Sequence, residues 1–155
     1  CSKLSMEHMS QLYSDRYPII ITRPFNYTGR GHSENFLIPK IVKAYKSEAS
    51  SIELGNLDVF REFNDVRDVC SIYRLLLESD SKSLTVNICS GKSISLLEVI
   101  ELMDGIVGVR MNIKINASYV RENEIRNLSG NTLKMKSLTS FDFKYSFEET
   151  LRWMM

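Results

Sequence analysis

Residues that could bind a ligand follow a strand-like run near the start of the chain. The stretch IIITRPFNYTGRGH (residues 19–32) changes from β-favouring residues to Pro, Asn and Gly, so we predict a strand over Pro18–Thr22, buried on both faces, that runs into a loop. Ligands of open α/β sheets bind outside the carboxyl ends of strands, which makes Pro24, Phe25 and Asn26 candidate binding residues. A plain surface turn is the alternative interpretation.

A second candidate site, for an anion, lies at the start of the next predicted helix, residues 35–46. Asn35 opens this helix, and the free N–H groups of a helix N-terminus attract phosphate groups. Lys40 lies one turn further on and could reach a diphosphate bound there. The face of this helix that we expect to be buried carries apolar residues at helical spacing: Ile38, Ile41, Val42 and Tyr45.

Capping signals and periodicity predict the elements that must position these residues. We predict helices at 2–14 and 35–46, and further helices after the caps Asp65, Ser95 and Ser146, the second of which ends at Gly105. The remaining predicted strands are Ser51–Leu54, an extended segment 59–65, Thr85–Cys89 and 111–117. The order α-β-α-β-β-α-β-α-β-α predicts an α/β protein whose strands are too few and too scattered for one complete wound sheet.

The helix after Asp65 is predicted to bury an apolar stripe that includes Val69, Cys70, Leu76 and Leu77. We therefore expect Cys70, like Cys89 in its own apolar segment, to be a buried, reduced thiol, as in a cytoplasmic protein. The chain has no Cys-x-x-Cys pair and its two histidines are isolated, so no metal site is expected.

Composition narrows the class of protein further. The 155 residues are enough for about one domain, and a formal charge of +1 argues against a nucleic-acid or membrane surface as partner. No apolar run and no opening segment has the pattern of a membrane helix or a signal peptide, from which we expect a cytoplasmic protein. No Gly-x-Gly-x-x-Gly, P-loop or Gly-x-Ser-x-Gly motif is present, so the residues show no complete active site.

Seven segments, taken in order, resemble the second half of an extended short-chain dehydrogenase/reductase, the NAD-dependent epimerase/dehydratase family. They are SKLSMEHM, PIIITRPFNYTGRG, ENFLIPKIV, IELGNLDVFREFNDVRDV, TVNICSGKSISLLEVI, RENEI and GNTLKM, and they span almost the whole chain. The nearest subgroup resembles the GDP-6-deoxy-4-keto-sugar reductases and the GDP-mannose 4,6-dehydratases. The resemblance implies the C-terminal portion of a Rossmann-type enzyme, lacking the N-terminal dinucleotide-binding βαβ units.

The resemblance assigns Lys3 to the lysine of the family's catalytic Tyr-x-x-x-Lys motif. Its ammonium would lower the tyrosine pKa and bind the nicotinamide ribose of NAD or NADP, most of whose site would lie in the missing half. The tyrosine would lie four residues before Lys3, outside this chain. The backbone of Pro24, Phe25 and Asn26 would follow the nicotinamide, with Asn26 also facing the sugar nucleotide.

The same resemblance implies a clamp for a nucleoside-diphosphate sugar. Arg61 matches an arginine that contacts the diphosphate, and arginine binds phosphate with two parallel hydrogen bonds. Arg121 and Glu124 match a pair that holds a phosphate and the two ribose hydroxyls, although the family often has proline where this chain has Glu122. A strand-edge surface charge is the alternative for Arg61, and a solvated charged loop is the alternative for the RENE segment.

These matches predict both organisation and function. We expect residues 1–34 to be the end of the Rossmann domain and residues 35–155 to be mostly the substrate-binding lobe, with 59–90 partly returning to the Rossmann sheet. The implied activity is NAD(P)-dependent reduction of the 4-keto group of a nucleoside-diphosphate 6-deoxyhexose by the intact enzyme, expected to be a homodimer, while the chain alone would be inactive. Epimerase, 4,6-dehydratase and non-catalytic sugar-nucleotide-binding module are the alternatives.

Overall fold

A computed structural model describes residues 2–81, 83–120 and 123–155. The helices are α1 (Ser2–Gln11), α2 (Leu37–Lys46), α3 (Val66–Glu78), α4 (Leu96–Val107), α5 (Leu133–Thr139) and α6 (Phe147–Met154), with a 3₁₀ turn at Ala117–Tyr119. The strands are β1 (Ile20–Pro24), β2 (Tyr27–Thr28), β3 (Ser51–Leu54), β4 (Phe60–Arg61), β5 (Asn64–Asp65), β6 (Leu84–Ile88), β7 (Ile94–Ser95), β8 (Asn112–Ile115) and β9 (Asn127–Leu128).

Short parallel pairings dominate the strands. β1 pairs with β6, β2 with β5, and β3 with β8, all in parallel. β4 lies between β7, which runs antiparallel to it, and β9, which runs parallel to it. Because parallel neighbours need a crossover, helices connect most of these pairs, and the predicted α/β class is confirmed.

The first hydrophobic core forms where α2, α4 and α6 pack around β3. The apolar spacing in α2 buries Ile41 and Tyr45, and α4 contributes Val99, Ile100 and Met103 to the same core. The predicted capping boxes at Ser95 and Ser146 open α4 and α6, because each serine accepts a hydrogen bond from the backbone three residues on.

The second core forms between α3, α5 and the strand pair β1–β6. Ile72 and Leu76 on α3 pack with Val86 and Ile88 on β6 and with Met135 on α5. Asp65 caps α3 as predicted, since its side chain accepts the Arg67 N–H. The division of the chain into a Rossmann remainder and a substrate lobe stays a prediction.

Several element boundaries differ from the sequence predictions: α1 ends at Gln11 instead of residue 14, β6 covers Leu84–Ile88 instead of Thr85–Cys89, and β8 covers Asn112–Ile115 instead of 111–117. Three other boundaries also differ. β1 covers Ile20–Pro24 instead of Pro18–Thr22, and its residues are at most half-buried, because within the described chain β1 pairs on one side only. α2 begins at Leu37, so Asn35 lies in the preceding turn instead of opening the helix. α4 continues through Gly105 and ends at Gly108, whose left-handed φ of 77° suits glycine.

The predicted burial of Cys70 and Leu77 is wrong. α3 turns Val69, Ile72 and Leu76 towards β6 and α5, which leaves Cys70 exposed and Leu77 84% exposed on the outer side. Cys89 is buried as predicted, and Cys1 lies outside the described residues. The helical period alone allows two overlapping stripes, and the position of the sheet selects one of them.

α1 has no buried residue. Its Glu7 holds Arg23 at the end of β1 through two hydrogen bonds of 3.0 and 2.5 Å, and its large apolar residues face outward: Leu4, Met6 and Met9. None of the helices in the described part of the chain has the length and hydropathy that crossing a bilayer requires.

Candidate binding cleft

An open cleft of about 1310 Å³ lies at the carboxyl end of β1. Its walls come from the segment after β1, the start of α2, the turn after β3, the 3₁₀ turn and β4. It brings together every described residue that the sequence analysis proposed for a site: Lys3, Pro24, Phe25, Asn26, Asn35, Lys40, Arg61 and Glu124. Arg121 lies outside the described residues.

The exit of β1 is held by backbone hydrogen bonds. The Phe25 N–H donates to the Ile88 carbonyl of β6 at 2.9 Å. The Asn26 carbonyl accepts from the backbone N–H of Asn64 at 2.9 Å and from its side-chain amide at 3.2 Å. The Asn26 side chain remains exposed in the cleft. These bonds fix the main chain where a ligand would contact it and leave the amide free to select one.

The start of α2 forms one side of the cleft. Phe36, in an extended conformation, is the N-cap, and no side chain caps the helix there. The His32 ring lies on the Phe36 ring with centroids 4.3 Å apart, and its Nδ1 lies 3.3 Å from the hydroxyl of the buried Thr28. The first turn carries no acidic side chain. Pro39 has no N–H and the Lys40 N–H donates to the Phe36 carbonyl, so the N–H groups at this end of α2 that could meet an anion are those of Leu37 and Ile38.

The side chain of Lys40 extends from α2 to the wall of the cleft formed by β3 and the 3₁₀ turn. Its ammonium donates to the Glu53 carbonyl at 2.9 Å and lies 4.6 Å from the centre of the Tyr119 ring. A Cβ on Gly55 would lie 2.7 Å from the Tyr119 carbonyl oxygen, so the absence of a side chain there permits this close approach. Lys40 thus already has partners in the wall itself.

Arg61 and Glu124 form an ion pair in the cleft, with Nη2 and Oε1 3.2 Å apart and side chains 18% and 20% exposed. Arg61 Nη1 also donates to the Phe60 carbonyl at 2.7 Å. The parallel pairing of β4 with β9 brings the two residues together, because it places the segment around Glu124 beside β4. A guanidinium and a carboxylate side by side can bind an anion and adjacent hydroxyls.

Lys3 lies on the α1 side of the cleft and is exposed. Among the described residues no side chain accepts a hydrogen bond from its ammonium or pairs with it, whereas Glu7 on the next turn holds α1 against β1. Lys3 therefore places an ammonium group in the cleft lining that has no hydrogen-bond or ion-pair partner among the described side chains.

The sequence analysis missed Glu62, which directly follows Arg61. Its carboxylate is 0% exposed, and it accepts hydrogen bonds from the backbone of Ser90, Gly91 and Gly130. Glu62 also lies near the buried Cys89, and burial, together with this carboxylate, raises the pKa of the Cys89 thiol to about 11. Its neighbour Arg61 drew attention in the sequence, but no local pattern marks a glutamate as buried.

No group of three or more His, Cys, Asp or Glu residues in the described ranges is arranged to hold a metal ion. The expectation that the protein has no metal site stays a prediction.

A cleft at the carboxyl end of parallel strands, beside a second α/β core, is the architecture of the extended short-chain dehydrogenases/reductases. An RMD structure from Pseudomonas aeruginosa complexed with NADPH has a TM-score of 0.88 and 29% identity, covering 99% of this chain and 53% of that one. A Burkholderia cenocepacia J2315 crystal structure, of a protein assigned only provisionally as an epimerase, has a TM-score of 0.95 and 44% identity, covering 99% and 50%.

The chain belongs to the GDP-mannose 4,6 dehydratase family, whose sequence profile matches residues 1–154. Its relatives include GDP-6-deoxy-D-talose 4-dehydrogenase of Aggregatibacter actinomycetemcomitans, 36% identical over 94% of this chain, and GDP-6-deoxy-D-mannose reductase of Pseudomonas aeruginosa, 28% identical over 97%. The chain spans about half of these relatives, 49% and 52% respectively. The resemblance seen in the sequence is thereby confirmed, and so is the prediction that the chain corresponds to one portion of the family's fold.

Proposed function

We propose that the intact protein, meaning a polypeptide of the relatives' length that contains this chain, is an NAD(P)-dependent nucleotide-sugar oxidoreductase. It reduces the 4-keto group of a nucleoside-diphosphate 6-deoxyhexose, and residues 1–155 supply Lys3 and the substrate clamp. The observation that carries this proposal is the convergence of Lys3, the β1 exit and the Arg61–Glu124 pair on one cleft. The names of the two relatives, both acting at GDP-linked 6-deoxy sugars, support the substrate class.

Lys3 and the β1 exit are proposed to serve the cofactor. The exposed ammonium of Lys3 binds a ribose hydroxyl and lowers the pKa of the catalytic tyrosine by favouring its phenolate. The main chain of Pro24–Asn26, held by Ile88 and Asn64, forms a rigid edge along which a flat ring can lie. The cofactor, when bound, supplies the hydride. An NADPH complex of a relative 29% identical to this chain supports a nicotinamide cofactor.

Arg61 and Glu124 are proposed to bind the nucleoside diphosphate. Arg61 holds a phosphate through its guanidinium, and Glu124 accepts hydrogen bonds from the two vicinal hydroxyls of the ribose. Their mutual contact of 3.2 Å keeps both side chains facing the cleft before a ligand arrives. Asn35 and the open start of α2 add polar groups for the second phosphate, and Lys40 stabilises the wall.

Three further proposals rest on the chain's membership of this family. The domain division at residue 34, with 59–90 partly in the Rossmann sheet, is one. The second is a homodimer that covers the exposed apolar side of α1. The third is that the alternative activities are a nucleotide-sugar epimerase, a 4,6-dehydratase and a non-catalytic binding module. Epimerases and 4,6-dehydratases use the same scaffold, and a binding module would need only the residues that bind the nucleoside diphosphate. GDP-6-deoxy-D-talose 4-dehydrogenase, 36% identical to this chain, supports hydride transfer at carbon 4. The 44% identical structure, provisionally assigned as an epimerase, supports the epimerase alternative.

The test is a matched set of assays on the intact protein. We expect a GDP-linked 4-keto-6-deoxy sugar to oxidise NADPH or NADH, followed by absorbance, with the 4-hydroxy product identified by mass spectrometry. Water loss from GDP-mannose without net cofactor consumption would indicate the dehydratase, and inversion of a hydroxyl would indicate the epimerase. Binding without turnover of any of these sugars would leave only the module.

A further inference from the structure

We propose that Glu62 is a positioning residue that fixes the two walls of the cleft relative to each other. The inference rests on the proposed function for its kinetic readout, but its structural content concerns the described residues alone. Glu62 touches no ligand-facing surface itself, since its side chain is 0% exposed and it is absent from the cleft lining.

The Glu62 carboxylate is stabilised by hydrogen bonds from N–H and O–H donors and not by a cation. Oε2 accepts from the backbone N–H of Ser90 at 2.8 Å, from the Ser90 hydroxyl at 3.2 Å and from the Gly91 N–H at 3.2 Å, while Oε1 accepts from the Gly130 N–H at 2.5 Å. No ion pair within the described ranges includes this residue. A buried anion persists only where such donors are fixed around it, so carboxylate and loops hold each other in place.

The loops that Glu62 joins are distant in sequence. Ser90 and Gly91 follow β6, and Gly130 lies between β9 and α5. Gly91 has a φ of 76°, a left-handed conformation that directs its N–H to the carboxylate at little cost for glycine.

Gly130 transmits the position of Glu62 to the β1 exit. A Cβ at Gly130 would lie 2.9 Å from Cε2 of Phe25 and 2.6 Å from Sγ of Cys89, so the backbone there packs directly on both side chains. Phe25 lines the cleft. Any movement of Gly130 away from Glu62 therefore moves a surface against which the Phe25 ring is packed.

Arg61 couples the position of Glu62 to the other wall of the cleft. Arg61 and Glu62 are neighbours, so the tether on one side chain fixes the backbone from which the other projects. The segment that Glu62 holds through Gly130 includes β9, which pairs with β4 at Arg61 and Leu128 and carries Glu124 beside Arg61. One buried carboxylate thus links Phe25 on one wall with the Arg61–Glu124 pair on the other.

The experiment replaces this carboxylate with an isosteric amide, Glu62→Gln, in the intact protein. The amide turns an NH₂ group towards N–H donors, which cannot accept it, so the loops separate. We expect KM for the sugar nucleotide to rise by about tenfold or more with a smaller change in kcat, because the clamp loses its geometry. Ser90→Ala removes one of the contacts and should give a smaller rise in KM, which keeps the proposal testable if Glu62→Gln does not fold.

Ile72→Ala is the matched control for lost stability. Ile72 is fully buried in the second core and does not line the cleft, so its truncation lowers Tm without moving the clamp. If Glu62→Gln or Ser90→Ala lowers Tm and leaves KM unchanged, as we expect for Ile72→Ala, the positioning role is wrong.

Hydrogen–deuterium exchange separates this inference from the proposed function. In Glu62→Gln, or in Ser90→Ala if that variant alone folds, we expect faster exchange at Ser90, Gly91 and Gly130, and also in segments 24–27 and 123–130. If the wild-type protein neither binds nor converts a nucleotide sugar, the proposed function fails, and exchange alone decides on Glu62. Unchanged exchange in segments 24–27 and 123–130 would overturn the inference in either case.

Discussion

Arg61 and Glu124 form the most directly testable contact in the cleft. Each side chain has about a fifth of its surface exposed, so the 3.2 Å contact between them is partly shielded from water. Arg61 has a further bond to the Phe60 carbonyl, which orients the guanidinium. A charged group held in this way loses little conformational entropy when a phosphate binds.

Arg61→Ala should therefore raise KM for the sugar nucleotide by about tenfold to a hundredfold, since hydrogen bonds to charged groups contribute about 1.5–3 kcal/mol. Arg61→Lys should recover part of this loss, because it keeps the charge but not the two parallel hydrogen bonds. Steady-state kinetics of the intact protein measure both. Equal KM values in Arg61→Ala and wild type would contradict the phosphate role.

Lys3→Ala should lower kcat through poorer cofactor placement and weaker activation of the tyrosine. In the direction of hydroxyl oxidation the tyrosine acts as a base, and losing a nearby positive charge raises its pKa. We therefore expect the pH of half-maximal rate to move upward, and Lys3→Arg to move it less. A pH–rate profile of Lys3→Ala that coincides with the wild-type profile would remove Lys3 from the mechanism.

Cys70 and Cys89 should differ in reactivity although neither forms a disulfide. Burial and the neighbouring Glu62 carboxylate raise the pKa of Cys89 to about 11, so at pH 8 only about one molecule in a thousand carries its thiolate. Iodoacetamide at pH 8 should label the exposed Cys70 and spare Cys89, as read by peptide mass spectrometry. Labelling after denaturation is the control, and equal native labelling of the two thiols would contradict this placement.

The loop between β9 and α5 is packed so closely that it tolerates no side chain at Gly130. Gly130→Ala places a Cβ 2.6 Å from Cys89 Sγ and 2.8 Å from Cys89 Cβ, and it should lower the free energy of unfolding by about 1–3 kcal/mol. Gly105→Ala is the control, because Gly105 is exposed within α4 and the added Cβ would meet no atom within 4 Å beyond its chain neighbours and the adjacent backbone of its own helix.

Gly105→Ala should raise stability by about 0.5–1 kcal/mol, since alanine loses less backbone entropy than glycine in a helix. Urea unfolding followed by circular dichroism measures both variants. A Gly130→Ala protein as stable as wild type would show that this loop has room to move.

The exposed apolar side of α1 is the element that should mediate self-association. Met9 is 62% exposed, and burial of such residues against a second copy is favourable. Met9→Lys should shift the intact protein from dimer to monomer in sedimentation velocity. Leu77→Lys on α3, at an even more exposed apolar residue, should leave the dimer unchanged, and a dimer that survives Met9→Lys would place the interface elsewhere.

The molecule as a whole is joined by a buried polar network between α3 and α6. Burial opposes ionisation of Asp65, but hydrogen bonds from Arg67 and Thr150 outweigh it and lower the pKa of Asp65. Its neighbour Asp68 has a raised pKa, because burial outweighs the bonds from the Lys144 and Tyr145 N–H groups. The two carboxylates therefore make opposite contributions to the pH dependence of stability.

A lowered folded-state pKa means that Asp65 contributes stability above its unfolded pKa of about 3.9 and loses it as the pH falls through the folded value. Asp65→Asn should accordingly destabilise the protein at pH 7, with a difference from wild type that shrinks towards pH 3. Asp68→Asn should show a difference that changes with pH in the opposite sense. Urea unfolding at several pH values measures both, and a pH-independent effect of Asp65→Asn would contradict the assignment.

Local chemistry accounts for the features that could be predicted correctly. The caps at Asp65, Ser95 and Ser146 were recognisable because a cap and its N–H donor lie within three residues. The strand-to-loop change that marked Pro24, Phe25 and Asn26 is likewise a short pattern. The expected helix start marked Asn35 and Lys40, and the resemblance to a family supplied Lys3, Arg61 and Glu124.

Long-range packing decides the features that could not be predicted from the sequence. Arg61 and Glu124 are 63 residues apart, and only the pairing of β4 with β9 makes them partners. Residues 106 and 107 pack on the first core and carry α4 past Gly105, so the glycine that ends the helix is decided by contacts outside it. The exposure of Cys70 follows in the same way from the position of β6 and α5 against α3.

The amino-acid order was sufficient for the α/β class, the capped starts of α3, α4 and α6 and the chemical identity of the cleft residues, because each depends on neighbours along the chain or on side-chain type. Burial, partnership and charge compensation depend on residues brought together by folding. Glu62 shows the difference most clearly. A glutamate is expected at the surface from its type alone, but here two loops that are distant in sequence supply N–H groups to its carboxylate in place of water.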